Sequence, residues 1–256
     1  MSRVREVLAS EGIGGLSGRV VAWARRKAGN AFDQVWYVLE LNRVKLRELA
    51  EGYELVLAGE REVELVARLV KDALAEQFAR AEASGTPSTT PQAMDAPGFT
   101  DEETRRRLDE GAQLWTVVKG DEAAFACWIF PSVTPVLQGR GGTLVLPEGA
   151  ACLEDSVTSP NHRGRGIAPA AWTAIAQRLS EQGFEVLITK VNVENVPSRR
   201  AVEKAGFRGV NVMRYHRRGP VARVRFEPLP AGEPAEGEPT DRERAVGAEL
   251  ARRLER

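Results

Sequence analysis

Residues 157–169 read Val-Thr-Ser-Pro-Asn-His-Arg-Gly-Arg-Gly-Ile-Ala-Pro, a strand end that runs through a basic, glycine-punctuated turn into a helix. Gly164 and Gly166 let backbone amides turn inward, because a glycine has no Cβ to block them. The helix that starts behind them adds the positive end of its dipole. This combination predicts a binding site for phosphate.

Two common phosphate-binding loops do not fit this turn. A P-loop requires a lysine and then a serine or threonine after its last glycine, and neither Gly164 nor Gly166 is followed by that pair. A dinucleotide fingerprint requires a third glycine, where this chain has Pro169, and a surrounding βαβ unit. What remains is Arg-Gly-x-Gly-Ile-Ala after a strand end.

The remaining pattern resembles the coenzyme A pyrophosphate loop of the GCN5-related N-acetyltransferases (GNAT). The family pattern is Gln/Arg-x-x-Gly-x-Gly/Ala. Asn161 replaces its first residue, while the form Pro-x-x-Arg-Gly-x-Gly-Ile matches from Pro160 to Ile167. The match therefore covers the turn with one departure.

A second motif lies downstream and resembles the same family. GNAT proteins carry Asn-x-x-Ala/Ser and, about eight residues later, Gly-Phe. Asn195, Ser198, Gly206 and Phe207 hold those places, on a helix that Pro197 begins and Gly206 ends. Two motifs at this separation identify the family far more specifically than one.

Periodicity and turn residues predict the order of elements. Strands are expected at 34–41, 53–58, 114–119, 123–130, 150–159, 186–193, 210–215 and 221–226, and helices at 61–83, after Thr100, at 167–182 and after Pro197, with loops at 84–98 and from 131 to about 142. This order resembles the GNAT fold from Gly52 to Pro228. The resemblance implies an α/β (α+β) architecture: a central mixed, mostly antiparallel sheet flanked by helices, whose fourth and fifth strands splay apart.

The domain organisation expected from these elements has three parts. Residues 1–51 form an N-terminal extension with a basic helix at 19–28 and a strand, residues 52–228 form the GNAT domain, and residues 229–256 form a Pro/Glu-rich linker and a helical tail. The basic helix reads as a packing helix, with a membrane-surface or partner-binding role as the alternative. For the tail, capped by Thr240 and Glu243, a frayed end and a partner-docking helix both stay open.

The resemblance also implies a site for acetyl-CoA. The pantetheine arm would lie between the splayed strands against the backbone of Ser156, Val157 and Thr158. Asn195 would reach the cofactor's amide arm, with helix N-capping as its alternative role, and Ser198 would lie beside it. The amides of the turn would surround the pyrophosphate, namely those of Arg163, Gly164, Arg165, Gly166, Ile167 and Ala168.

Acyl transfer also requires a neutral amine and a polarised thioester carbonyl. Glu154 is the expected general base, acting directly or through water, because many family members place an acid there. Simple strand alternation puts it on one face with Ser156 and Thr158, and turns Asp155 away. Its alternative role is a charged strand residue paired with an arginine. A backbone amide near Val157 or Thr158 could hold the developing oxyanion.

The chain departs from the family at the proton donor. Many members carry a tyrosine seven residues after the motif asparagine, and this chain has Val202 there. Tyr215, a water molecule, or direct release of the thiolate could replace it, and these three alternatives stay open.

Composition limits the remaining function classes. Lys plus Arg equal Asp plus Glu at 36 each, so the 256-residue chain carries no net charge that would favour nucleic acid or a membrane surface. Two cysteines and two histidines predict neither a disulfide framework nor a structural metal. We expect a cytoplasmic protein without stable membrane insertion. Its partner would be a small-molecule or peptide amine, and homodimer formation stays open.

These observations predict an acetyl-CoA-dependent N-acetyltransferase that transfers its acyl group to a primary amine within a ternary complex. The acceptor is not readable from the sequence. The alternative is a coenzyme A-binding sensor or interaction protein that has lost turnover, as Val202 would suggest.

Overall fold

The computed structural model describes residues 31–83, 97–135, 142–218, 221–229 and 237–254. The basic helix expected at 19–28 and the loop positions 84–96 lie outside these ranges. The strands are β1 Ala31–Glu40, β2 Glu54–Leu57, β3 Gln113–Lys119, β4 Glu122–Phe130, β5 Val133–Pro135, β6 Thr143–Val145, β7 Ala150–Thr158, β8 Val186–Asn192, β9 Arg208–Arg218 and β10 Val221–Pro228. The helices are α1 Glu60–Ala83, α2 Asp101–Asp109, α3 Ile167–Glu181, α4 Val196–Lys204 and α5 Asp241–Leu254.

Eight strands form one sheet in the order β10-β9-β1-β8-β7-β4-β3-β2. All neighbours in it run antiparallel except β7 and β8, which are parallel. The expected central, mixed, mostly antiparallel sheet with flanking helices is therefore confirmed. The parallel pair follows from the connection through α3. A crossover helix carries the chain back to the same end of the sheet, so the next strand runs in the same direction.

Strand β1 lies in the middle of this sheet. It pairs with β8 on one side and with β9 on the other, and its residues from Val35 to Leu39 are buried. The sheet therefore starts before residue 52, the boundary expected from the sequence. The physical reason is that the backbone N–H and C=O groups of a buried strand need hydrogen-bond partners on both edges, and β8 and β9 supply them.

Helices cover the two faces of the sheet and form two apolar cores. Leu65, Val66 and Leu69 of α1 pack on one face, which we call the α1 face, together with Leu250 of α5. Ile175 and Leu179 of α3 pack on the opposite face, the α3 face, as do residues of α4. Each core takes alternate residues of the strands between them.

Two regions differ in detail from the sequence-based expectation. The segment from 131 to about 142 was predicted to be a loop, but β5 pairs with β6 in a two-stranded ribbon, in the register Val133 to Val145. Three-residue strands are too short for period-two patterning to reveal. The C-terminal helix α5, for which two roles were open, packs on the main sheet, and its Gly247 approaches Val210 closely.

Candidate functional site

Strands β7 and β8 separate part-way along their length. Their parallel pairing joins Ala150–Leu153 to Val186–Thr189 and ends there. Beyond that point β7 continues against β4, and β8 continues against β1. The sheet therefore opens between residues 154–158 and residues 190–192, which is the splay expected for the fourth and fifth strands of the fold.

A β-bulge in β7 lies at the start of this opening. Trp128 of β4 faces Glu154 and Ala126 faces Val157, so two residues of β7, Asp155 and Ser156, lie opposite a single residue of β4. Asp155 has a φ of 49°, which is unusual for a residue other than glycine but accessible to aspartate. Its carboxylate accepts a hydrogen bond from the buried Arg107 of α2 at 2.7 Å.

The bulge overturns one expectation about side-chain faces. Simple alternation would put Glu154 and Thr158 on one face of the sheet. The extra residue shifts the alternation, so that Glu154 and Val157 share the α1 face while Thr158 pairs with Phe125 on the α3 face. The prediction that Glu154 and Thr158 share a face is wrong for this reason.

Glu154 is buried and forms an ion pair with Lys190 of β8. The Thr134 hydroxyl of β5 donates to the same carboxylate oxygen, Oε1, at 3.1 Å, and the Cys152 thiol donates to it at 3.3 Å. Burial raises the pKa of the Glu154 carboxyl, and the opposite charge of Lys190 offsets only part of that rise. The expected alternative partner, an arginine, is replaced here by a lysine.

The glycine turn has the backbone shape expected of an anion site. Gly164 and Gly166 have φ values of 75° and 72°, and a Cβ at either position would meet no atom within 4 Å. Gly166 is the N-cap of α3, so the first amides of that helix have no intrahelical acceptor. The turn therefore presents open backbone donors and a helix dipole on one side.

Two cavities meet at the opening between β7 and β8. The outer cavity, of about 1150 Å³, is lined by the glycine turn and by α4; the inner cavity, of about 530 Å³, is lined by the splayed strand ends, including Glu154 and Lys190. Both cavities share Ser156, Val157, Trp172, Asn195 and Ser198. A ligand held at the turn can therefore extend into the sheet as far as Glu154.

The charges of the outer cavity suit a polyphosphate. Four basic side chains and two acidic ones line it, namely Arg80, Arg163, Arg200, Lys204, Glu76 and Glu203. The Arg163 guanidinium already donates to Glu76 of α1 at 2.5 Å, which offsets part of its charge. Arg165 is exposed and lines neither cavity. The backbone of the turn therefore fits a pyrophosphate better than these two side chains do.

Asn195 is the N-cap of α4 and also lines both cavities. Its side-chain oxygen accepts from the Ser198 amide at 3.2 Å. Tyr37 of β1 fastens this helix to the sheet by donating to Glu203 at 3.0 Å and accepting from Arg199 at 3.1 Å. Burial, followed by the neighbouring Glu203 charge, raises the pKa of Tyr37 to about 12.

Tyr215 does not lie near Glu154. It is buried on β9, which is separated from β7 by β1 and β8, and it lines neither cavity. Val202, at the position where a tyrosine was expected, does line the inner cavity. The structure thus brings together Glu154, the splayed backbone and the turn, but leaves Tyr215 outside.

The turn and the two connected cavities offer room for a coenzyme A ester. The turn offers unblocked amides, and the two connected cavities lead from it to the sheet opening. Residues 88–207 match the family model described as Acetyltransferase (GNAT) family. This segment belongs to the GNAT family. The cofactor of GNAT proteins is acetyl-CoA, and the turn and the two cavities are compatible with it.

Solved GNAT structures resemble the chain at low sequence identity. A GNAT-family protein from Novosphingobium aromaticivorans is 16% identical, with a TM-score of 0.45, and the match covers 72% of this chain and 62% of that one. A GCN5-related N-acetyltransferase from Sphaerobacter thermophilus is 14% identical, with a TM-score of 0.46, over 76% of this chain and 54% of that one. The match thus spans less than two thirds of either protein. No curated protein sequence matches the chain.

Among residues 31–83, 97–135, 142–218, 221–229 and 237–254, no helix combines the length and apolar character needed to cross a bilayer. Within the same ranges, no group of three or more His, Cys, Asp and Glu side chains could hold a metal ion.

Sequence reasoning missed several residues of this site. Lys190 lies inside the strand predicted at 186–193, where a lone lysine among apolar residues is a signal for a buried partner. Thr134 and Glu76 gave no signal, because their contacts join elements far apart in sequence. Gln34 of β1, which lines the inner cavity, had been placed in the N-terminal extension.

Proposed function

We propose that the chain is an acetyl-CoA-dependent N-acetyltransferase that acetylates a primary amine within a ternary complex. The single observation that carries the proposal is the continuous path from the glycine turn, through the outer cavity, to Glu154 at the sheet opening. The turn would bind the pyrophosphate through the amides around Gly164 and Gly166. The backbone of Ser156, Val157 and Thr158 would accompany the pantetheine arm along the splayed strand.

Acetyl-CoA supplies the acyl group as a thioester. In the proposal Glu154 takes a proton from the acceptor amine, directly or through water, which leaves the nitrogen lone pair free to attack. A raised carboxyl pKa favours this role, because a stronger base holds the proton better. A backbone amide near Val157 or Thr158 would donate to the carbonyl oxygen as negative charge develops there. The inner cavity would hold the acceptor.

The proton for the departing thiolate is assigned to water or to no donor at all. The buried position of Tyr215 on β9, away from both cavities, favours a packing role for that residue. Val202 offers no proton. A thiolate is a stable enough leaving group at neutral pH to depart without one, since a free thiol has a pKa of about 8.5.

The first prediction concerns the turn. Gly166→Asp should abolish the binding of coenzyme A, because it adds a carboxylate where the pyrophosphate is expected. Gly166→Asn is the matched control: it adds a side chain of the same size in the same left-handed conformation, without the charge. Isothermal titration with coenzyme A measures both. Equal affinity in wild-type protein and the aspartate variant would place the phosphate elsewhere.

The second prediction concerns Glu154. Glu154→Gln should lower kcat/KM by about 10²-fold or more, the usual contribution of a general base, while the affinity for coenzyme A is unchanged. The measurement is thioester loss from acetyl-CoA with a panel of primary amines, namely polyamines, amino sugars and peptides. Coenzyme A binding without turnover on the whole panel would instead favour a cofactor-binding protein without catalytic activity.

A further inference from the structure

The ion pair between Glu154 and Lys190 lies at the point where the sheet opens. Leu153 and Thr189 are the last residues that β7 and β8 pair, and Glu154 and Lys190 are the next residue on each strand. The Thr189 hydroxyl donates to the Leu153 carbonyl at 2.9 Å and closes the paired part. The first side chains beyond it are thus a carboxylate and an ammonium group, which bridge the opening.

Lys190 is held from three directions. Its ammonium donates to Glu154 and to the Pro135 carbonyl of β5, the latter at 2.8 Å, and lies 5.4 Å from the centre of the Trp36 ring. The side chain is only 2% exposed. A buried lysine is favourable only when its charge is paired and its protons are accepted, and all three contacts serve that end.

The charged and titratable groups around Glu154 come from several elements. Lys190 faces it from β8, Thr134 donates to it from the β5 ribbon, and Cys152 and Asp155 flank it on β7. Asp155 is itself neutralised by Arg107 of α2. Lys190 is therefore the cation in direct contact with the Glu154 carboxylate.

This arrangement sets two effects against each other. Burial and the nearby Asp155 charge raise the pKa of Glu154, whereas Lys190 lowers it. For Lys190, burial alone would lower the pKa, but the attraction of Glu154 outweighs burial and raises it. The ammonium is therefore a firm charge at neutral pH, and a poor proton donor.

We propose that Lys190 is the positioning residue of the general base: its ammonium keeps the Glu154 carboxylate ionised and fixes its direction at the sheet opening. The inference rests on the proposed function where it calls Glu154 a base. The effect of Lys190 on the ionisation of Glu154 depends only on the ion pair. Lys190 also ties this control to the ribbon, since the Pro135 carbonyl and the Thr134 hydroxyl belong to β5. A purely structural clamp between β7 and β8 would make the same contacts without setting the ionisation.

The test measures the ionisation of Glu154 directly in the full chain. Carbon-13 NMR of glutamate-labelled protein follows each side-chain carboxyl through a pH titration, and the signal lost in Glu154→Gln assigns Glu154. In Lys190→Met the Glu154 signal should titrate at a higher pH than in wild-type protein, because the offsetting cation is gone. Lys190→Arg should restore the wild-type titration, because it keeps the charge.

The same variants give a second readout once an amine is accepted. The acid limb of the kcat/KM profile should move to higher pH in Lys190→Met, with a loss of at least about tenfold near pH 6 that shrinks as pH rises. A structural clamp would lower the rate by the same factor at every pH. Lys190→Arg should follow the wild-type profile.

Loss of one partner of a buried ion pair is strongly destabilising, so Lys190→Met can fail to fold at neutral pH. A carboxyl with a raised pKa favours the folded state below its unfolded pKa, and that contribution is lost as pH rises. The melting temperature of Lys190→Met should therefore fall from about pH 5 to about pH 8 more steeply than that of wild-type protein. Lys190→Gln, which keeps a donor for Oε1, is the second variant.

An unchanged Glu154 titration in both Lys190→Met and Lys190→Gln overturns the proposal. A shifted titration with no turnover on the amine panel upholds the control of ionisation by Lys190, and removes only the proposed function.

Discussion

Gly98 packs against Asp155 and Arg107 so closely that there is no room for a side chain larger than hydrogen. It lies in the short helical turn before α2, lines the inner cavity, and accepts a hydrogen bond from the Trp128 indole at 2.8 Å. A Cβ at this position would lie 2.2 Å from the Asp155 carboxylate and 2.8 Å from the Arg107 guanidinium. Both groups are buried and paired with each other, so neither can move away without breaking the pair.

We therefore expect Gly98→Ala to lower the free energy of unfolding by about 2 kcal/mol, as overpacking typically does. The matched control is Gly59→Ala, where a Cβ would meet only the flexible end of Glu62 at 3.3 Å. That change should stay within about 0.5 kcal/mol. Urea unfolding of the three proteins measures both values. A Gly98→Ala variant as stable as the control would mean that Asp155 and Arg107 separate easily.

At the residue scale, the sequence predicts those site residues that belong to local motifs. The turn glycines and Asn195 were recognisable because their spacing along the chain is itself the signal. Lys190 was not, because its meaning comes from Glu154, 36 positions earlier, and from a strand pairing that no local pattern encodes. The engagement of Arg163 by Glu76 is hidden for the same reason.

At the scale of elements, one extra residue in β7 changes the site. The sequence predicted a strand at 150–159, and β7 spans Ala150–Thr158. The sequence could not predict the bulge, because the residue in the left-handed conformation is Asp155 rather than a glycine. Arg107 supports that conformation from α2, lying 5.3 Å from the centre of the Trp128 ring while it binds Asp155.

The bulge in β7 determines the surroundings of Glu154, the proposed general base. It keeps Glu154 on the α1 face beside the ribbon, with Thr134 and Lys190 around it, while the next residues of β7 turn toward the shared wall of the two cavities. A regular strand would have aligned Glu154 with Thr158 instead. The bulge thereby separates Glu154 from the backbone that is proposed to face the cofactor, and this separation suits the proposed role of Glu154 as a base toward the acceptor.

At the scale of the whole molecule, β1 completes the sheet and α5 completes the helical layer over it. Helix α5 lies over β1, β9 and β10. The Thr240 hydroxyl donates to Glu40 at the end of β1, and Arg242 pairs with Glu185 just before β8. Gly247 lets the helix approach Val210 of β9, since a Cβ there would come within 2.9 Å of that side chain. The sequence pattern predicted the helix but left its partner open, because its apolar stripe is thin.

Leu250 tests whether α5 belongs to the core. It is fully buried among the residues of the α1 face, so Leu250→Ala removes packed methyl groups and leaves a cavity. We expect a loss of about 3 kcal/mol in the free energy of unfolding, within the range measured for such core truncations. Leu46→Ala is the control, because Leu46 is 56% exposed and should change stability by less than about 0.5 kcal/mol.

The form of the unfolding transition decides between two descriptions of the molecule. If α5 folds with the sheet, Leu250→Ala shifts one cooperative transition to lower denaturant concentration and leaves its slope unchanged, because both states keep their exposed surface. If α5 were a frayed tail, Leu250→Ala and Leu46→Ala would unfold alike. Since β1 and α5 contact each other and β1 pairs with β8, the first outcome also predicts weaker coenzyme A binding on warming in Leu250→Ala, at a temperature where the wild-type protein still binds it.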